Sequence, residues 1–310
     1  MARSKPVTFP PETGELPSPV VDNHTHFSLP GDGTELPGGA EPLPMDVQIE
    51  RGRRAGVIGF IHSGCEILDL EPAVELARRW KPVAAAIAIH PNEAPRHAGV
   101  TETAPDGWEQ DLADHHRAFS LDDAIAQVAD LAAANPEHVV AIGESGMDLF
   151  RTAASGLEVQ RRAFREHIAL AKELGLPLQI HDREAHAEIV DILRRDGGPE
   201  MTVFHCFSGD RELAEILNEH GWYASFAGPI TFKSNQELRD ACRVMDPDRV
   251  LVETDAPYLT PAPYRGRPNA PYVMTHTVRA VAEAMGMELT YACQVLLANT
   301  RRVYGDWFTS

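Results

Sequence analysis

The sequence predicts an α/β fold, a (β/α)8 barrel, and three observations carry that reading. Short apolar runs alternate with helical segments along nearly the whole chain. Most of the runs are continuously apolar, as parallel strands buried on both faces are, rather than alternating. And run after run ends in a His, Glu or Asp, at the strand ends where a barrel of this type gathers its chemistry. The rival architecture, an open doubly wound sheet, lacks support because no Gly-rich phosphate fingerprint follows the first strand.

In order, the first strand is Val20-Val21-Asp22, leading into Asn23-His24-Thr25-His26. Phe27 to Pro44 is a long Gly- and Pro-rich loop. Met45 to Ala55 reads as a helix and Gly56 to His62 as the second strand. Leu70 to Trp80 reads as a helix with Pro72 in its first turn, where a missing N–H is tolerated. Val83 to His90 forms the third strand, closed by Pro91. Asn92 to Ala118 is the least regular part, and connections of such length are usually functional or mobile; it reads as a cover over the active site. Leu121 to Ala134 has helical spacing. His138 to Gly143 is the fourth strand, ending in Glu144, and Leu157 to Leu174 is a helix stopped by Gly175. The fifth strand, Leu176 to Ile180, ends in His181, and a helix spans Glu184 to Arg195. The sixth, Met201 to Phe204, ends in His205 and precedes a helix over Arg211 to Glu219. The seventh is Trp222 to Phe226, followed by a helix from Asn235 to Met245. The eighth, Arg249 to Thr254, ends in Asp255. Helices at about 275–285 and 289–298 close the chain.

Composition is that of a globular protein with a sizeable core, 43% hydrophobic and 24% charged over 310 residues. One barrel uses that length, so residues 20–310 read as a single domain. Met1 to Pro19 is polar and proline-rich with no apolar signal core, and reads as a loose N-terminal extension. No run approaches the roughly 20 apolar residues of a membrane span. The four cysteines, Cys65, Cys206, Cys242 and Cys293, form no CxxC pair. That removes a zinc ribbon and fits reduced thiols in a cytoplasmic protein. The formal charge is -18, from 28 Lys+Arg against 46 Asp+Glu. Such a surface argues against a high-affinity, non-specific duplex binder. It leaves room for an enzyme that meets phosphate at a local cationic site, because screening hides distant charge beyond about 10 Å.

His24 and His26 are two apart and can project together from one strand, a spacing that suits two imidazole ligands on one ion. At the other strand ends stand His62, His90, Glu144, His181, His205 and Asp255. Four imidazoles with Glu144 and Asp255 suffice for two metal ions, with Glu144 or a water bridging. Each has a plainer reading. His62, before Ser63-Gly64, fits a turn hydrogen bond. His90 faces an approaching substrate or caps its strand. Asp22 either ligates or orients the histidines through a hydrogen bond. Arg183, two after His181, binds phosphate or pairs with a neighbouring acid. Cys206 and Phe207 read as packing. His97, His115, His116, His167, His186, His220 and His276 read as solvated or packed. An imidazole-rich set suits Zn, Mn or Co, whereas Mg prefers oxygen.

The ordered motifs then resemble a known family. They are Asp22-x-His24-x-His26, Gly143-Glu144-x-Gly146-x-Asp148, His181-x-Arg183, His205-x-Phe207-Ser208-Gly209 and Glu253-Thr254-Asp255-x-Pro257-Tyr258-Leu259. Pro261, Arg265-Gly266, Asn269, Pro271 and Asn299-Thr300-x-Arg302 follow the same pattern. The chain, from about Val20 to Tyr304, is similar to the TatD family of metal-dependent hydrolases, in the amidohydrolase superfamily. That resemblance implies a TIM barrel and a Mg-dependent deoxyribonuclease, often a 3′-5′ exonuclease on single strands or DNA ends. By motif it gives one ion to His24, His26, Glu144 and Asp255. The second goes to Glu144, His181 and His205, with Glu144 bridging and Asp255 also at the attacking water. His90, Arg183 and Arg265, with Arg267 beside it, would meet the substrate.

The chain departs from the pattern where His90-Pro91 is followed by Asn92 instead of histidine, where 92–118 is long, and at Met147 and Tyr304. Asn92 and the long segment put substrate detail in question. No lysine stands at the fourth strand end, so Glu144 takes the place a carbamylated lysine holds in some relatives. The alternative is another ester or amide substrate on the same site, such as D-aminoacyl-tRNA; a non-catalytic metal-binding scaffold fits less well, given the intact ligand set.

Overall fold

The structure, a computed structural model, describes residues 7–12, 14–109 and 111–309. Eight parallel strands with helices between them make a (β/α)8 barrel, in sheet order β1-β2-β3-β4-β5-β6-β7-β8. Contacts divide the chain into two compact units, one of residues 1–62 with 209–310 and one of residues 63–208.

The first unit holds β1 (Val20–Thr25), α1 (Met45–Ala55) and most of β2 (Val57–Gly64). It continues with α8 (Arg211–His220), β7 (Tyr223–Phe226), α9 (Gln236–Val244), β8 (Val250–Val252), α10 (Thr275–Met285) and α11 (Leu289–Tyr304). Val20 pairs with Val57, and Ala224 with Val250. Val21, Leu297 and Phe308 form one apolar cluster beneath β1. The sequence sets 1–19 apart as a loose extension. Its residues 1–6 and 13 lie outside the described residues, and the rest is fastened to this unit. Leu16 is buried, its N–H donates to the Ala55 carbonyl at 3.0 Å, and the Tyr272 hydroxyl donates to the Pro10 carbonyl at 2.6 Å. Phe9 packs against the cluster of Ala55, Ala270, Tyr272 and Val273.

The second unit holds α2 (Ile67–Arg79), β3 (Val83–Ile87), α3 (Ala94–His97), α4 (Asp114–Ala118) and α5 (Leu121–Ala134). Then follow β4 (Val139–Asp148), α6 (Leu157–Leu174), β5 (Leu178–Arg183), α7 (His186–Asp196) and β6 (Thr202–Phe204). Helix α2 begins earlier than the sequence suggests, so Pro72 falls in its second turn. The bond Pro72 cannot make is to the Leu68 carbonyl, and Leu68 is exposed at 57%, where water can replace it. Strand β4 runs past Glu144 to Asp148, beyond the expected end, because Gly146, Met147 and Asp148 go on pairing with His181, Asp182 and Arg183 of β5. A Cβ on Gly146 would stand 2.1 Å from the His181 carbonyl oxygen, so only glycine lets the strands pass this closely. Segment 92–118 carries the short α3 and α4. Among the described residues no helix is long and apolar enough to cross a membrane.

Candidate metal centre

In the first unit, β1 delivers His24 and the residue after it brings His26. The Asp255 N–H donates to the His24 carbonyl at 3.0 Å, and the His26 N–H to the Ala256 carbonyl at 2.7 Å. These bonds lock the turn after β8 against β1. Asn269 holds the same turn from behind, donating through Nδ2 to the carbonyls of Thr254 and Tyr258 at 3.0 and 2.8 Å. Asp255 itself takes a left-handed conformation, φ 50°, which Asp tolerates better than most residues. The result is a convergent trio. His24 Nε2 and His26 Nε2 are 3.3 Å apart, and Asp255 Oδ1 lies 3.6 Å from His26 Nε2 and 4.0 Å from His24 Nε2. An ion with bonds of about 2.0–2.1 Å and near-tetrahedral angles places two nitrogens about 3.3 Å apart, so this spacing fits one.

Asp22 is fully buried and gives both oxygens to Thr254, accepting from its N–H at 2.8 Å and its hydroxyl at 2.6 Å. Burial pushes its carboxyl up to about 8, against the pull of those two bonds. Between the two readings of Asp22, the geometry favours a brace on the strand ends. His62 accepts the Phe27 N–H at Nδ1, 3.1 Å away, and burial pulls it down to about 3. It is a packed histidine.

In the second unit, β4 brings Glu144, β5 His181, and the residue after β6 His205. Glu144 Oε2 lies 2.6 Å from His205 Nε2, 3.1 Å from His181 Nδ1 and 3.6 Å from His90 Nε2. His181 Nε2 faces Asp148 Oδ2 at 3.2 Å, so the ring proton belongs there and Nδ1 turns a lone pair toward Glu144. Two electron-rich atoms 3.1 Å apart call for a proton or a cation between them. Burial pulls the His181 imidazolium down, but Asp148 and Glu144 hold it up at about 9. Burial likewise pushes Glu144 up, yet the His205 and His90 rings beside it hold it well below the usual carboxylate range. The donors therefore suit a cation on chemical grounds as well as by distance.

His90 joins Glu144 and His181 in a group of close donors. Its Nδ1, however, accepts the Asn92 N–H at 2.9 Å, which leaves the proton on Nε2. A protonated Nε2 is a hydrogen-bond donor and not a metal ligand, and it lies 3.3 Å from His181 Nδ1. Arg183 and Arg265 are each laid on an aromatic ring, over Phe150 at 4.1 Å and over Phe232 at 4.6 Å. Arg267 lies over Tyr264 at 5.7 Å.

Two residues were not singled out by the sequence as site residues. Cys65 Sγ lies 3.3 Å from Glu144 Oε1; nothing in the spacing of the cysteines signals this. Asp148 stands in the quoted motif, two and four residues beyond Gly146 and Glu144 on a strand that continues, and that alternation was its signal. Besides His181, Asp148 caps the N–H groups of Phe150 and Arg151 at 3.0 and 2.7 Å.

Imidazoles and carboxylates gathered where barrel strands end are the apparatus of a metal-dependent hydrolase acting on ester bonds. The family model described as TatD related DNase matches residues 21–305, and the chain belongs to that family. It is 36% identical to a Mycobacterium tuberculosis protein named as an uncharacterized metal-dependent hydrolase TatD, over 92% of this chain and 98% of that one. It is 34% identical to a 3'-5' ssDNA/RNA exonuclease TatD of Erwinia tasmaniensis, over 84% of this chain and 93% of that one. The crystal structure of YJJV, a TatD homologue from Escherichia coli K12, superposes with a TM-score of 0.75 at 26% identity, covering 93% of this chain and 98% of that one.

Proposed function

We propose that the protein is a cytoplasmic 3′-5′ exodeoxyribonuclease that hydrolyses phosphodiester bonds at DNA ends or in single strands with two divalent ions. The observation that supports it most is the trio His24–His26–Asp255 together with the His181 and His205 rings 3.1 and 2.6 Å from Glu144, in a chain whose relatives include a named 3'-5' exonuclease. Glu144, His181 and His205 would hold one ion, and His24, His26 and Asp255 the other. Mg is the ion that the family resemblance implies, while the imidazole content suits Zn or Mn. When bound, such ions supply a water of lowered pKa and offset charge on the phosphate oxygens.

The chain's own groups do the rest. Asp255 orients the attacking water and accepts its proton at a carboxylate oxygen. The His90 Nε2–H donates to a non-bridging phosphate oxygen. Arg183 and Arg265, stiffened by the rings beneath them, offer planar donors to the neighbouring phosphates. Attack in line with the leaving 3′ oxygen releases a 5′-mononucleotide and a new 3′-hydroxyl. The charge of -18 favours substrates held by few phosphate contacts over long duplexes.

The test is hydrolysis of a single-stranded oligonucleotide in 18O-labelled water. Labelled 5′-mononucleotides released in order from the 3′ end support the reading. No release from DNA, with deacylation of D-aminoacyl-tRNA by the same protein, would replace the substrate with that ester.

A further inference from the structure

Segment 92–118 brings together a cluster of donors that the proposed reaction does not use. Glu66 directly precedes α2, Glu93 directly precedes α3, and His115 and His116 lie in α4. Each presents one ligand atom, and these atoms all lie within 4.8 Å of one another. His115 Nε2 contacts Glu66 Oε1 and lies 3.1 Å from His116 Nε2. His116 Nε2 lies 2.8 Å from Glu93 Oε2 and 3.7 Å from Glu66 Oε1.

The Ala113 N–H donates to His116 Nδ1 at 3.0 Å, so the His116 proton sits on Nε2 and goes to Glu93. His115 Nε2 touches the Glu66 carboxylate, a pair that is held either by a proton on the ring or, with that proton displaced, by a cation bound to both. Arg96 is engaged elsewhere, its Nη1 on both Glu93 oxygens at 2.8 Å and its Nε and Nη2 on the Asp111 carbonyl at 3.1 and 2.8 Å. A second observation is independent of these four. His97 is only 6% exposed and its ring lies 4.9 Å from that of His116, edge to face. Its Nδ1 is 2.9 Å from the Phe119 carbonyl, while its Nε2 is buried with no hydrogen-bond partner among the described residues. A water carried by an ion in the cluster would give that nitrogen one.

We propose that Glu66, Glu93 and His115 hold a divalent transition-metal ion of the Zn2+ type, with His116 donating to Glu93 from outside the ligand set. Two carboxylates and one imidazole favour Zn or Mn over Ca, which takes a shell of oxygens. A proton or hydrogen bond on each outer side, as His116 and Arg96 provide for Glu93, is the usual way such ligands are oriented. The three ligands come from three stretches of chain, so the ion ties α4 and the start of α3, both within segment 92–118, to the turn that opens α2. Its role is to hold that segment, not to hydrolyse the substrate.

The test uses the full chain, stripped with chelator, reloaded with Zn2+ and desalted. Metal per chain is counted by mass spectrometry for wild type, Glu66→Gln and His115→Ala, each also combined with Glu144→Ala. Wild type is expected to keep one more ion per chain than either variant, and the same difference is expected in the Glu144→Ala background. Zn2+ is expected to raise the melting temperature of Glu144→Ala by several degrees and to leave that of its combination with His115→Ala nearly unmoved. Glu66→Gln preserves side-chain shape, so circular dichroism on it separates lost metal from lost fold. Equal zinc counts in folded wild type and Glu66→Gln would overturn the site, whatever the protein does to DNA.

Discussion

Asp148 Oδ2 lies 3.2 Å from His181 Nε2, and that contact decides which nitrogen His181 offers to Glu144. Burial raises the Asp148 carboxyl, but the His181 bond and charge outweigh it and hold it below the usual range. Asn92 Nδ2 donates to the same oxygen at 3.1 Å. Asp148→Asn would put an amide donor against two donors and release the ring. Partners of this kind typically carry 10–100-fold in metal affinity, roughly the loss expected here in a chelator-competition titration. Unchanged affinity would show that His181 needs no such anchor.

His90 offers a donor, because Asn92 holds its Nδ1. His90→Gln is expected to lower kcat/KM on DNA by roughly 10²-fold, the scale of one lost donor to a developing anion. Its metal content should stay at the wild-type value. Loss of an ion in this variant would make His90 a ligand instead.

Asp255→Asn removes the proposed proton acceptor while keeping the side chain's shape. In protein saturated with metal, turnover should fall by about 10²–10⁴-fold, the usual contribution of a general base. Equal rates in the two proteins would take Asp255 out of the chemistry.

Thr254 satisfies both oxygens of buried Asp22. Thr254→Val deletes the hydroxyl and leaves one oxygen without its donor, at an expected cost of about 1–3 kcal/mol in denaturant unfolding. A loss near zero would show that the Thr254 hydroxyl contributes nothing to holding Asp22.

His167 joins α6 to the end of β3, accepting the Ile89 N–H at Nε2, 3.1 Å away, and donating from Nδ1 to the Ala163 carbonyl at 2.7 Å. Burial pulls it down to about 4, although the Ala163 bond works the other way. The folded state thus favours the neutral ring. Its contribution is complete above the unfolded value of about 6.5 and is lost as pH falls from there toward 4, in total about 3 kcal/mol. Unfolding free energy measured across that window should drop less steeply in His167→Gln than in wild type.

The barrel was legible because its helices announce their ends. Ser120 accepts the Asp123 N–H at the start of α5, and Gly175 takes the left-handed conformation after α6, so both helices fall where the pattern put them. Strand β4 and helix α11 outran their patterns because partners far away in sequence hold their extra residues. Strand β4 continues through Glu144 to Asp148 by pairing with β5. Helix α11 continues past 298 to Tyr304, because Asn299 donates to the carbonyls of Pro247 and Val250 at 2.7 and 2.8 Å, and Thr300 to Asn23 at 2.9 Å. His24 and His26 were visible by spacing, and Glu144, His181, His205 and Asp255 by their places at the ends of apolar runs. Cys65 and the cluster around His115 were not, since those contacts arise where loops fold back.

The most direct measurement of the central claim is cleavage by metal-stripped protein after adding back Mg, Mn or Zn, on single-stranded DNA labelled at the 3′ or the 5′ end. Glu144→Ala is the control. The account predicts no cleavage without metal. With metal it predicts a 5′-labelled ladder shortening from the 3′ end, absent in Glu144→Ala. Full-rate cleavage by the stripped protein or by Glu144→Ala, or no cleavage with any of the three metals, would contradict it.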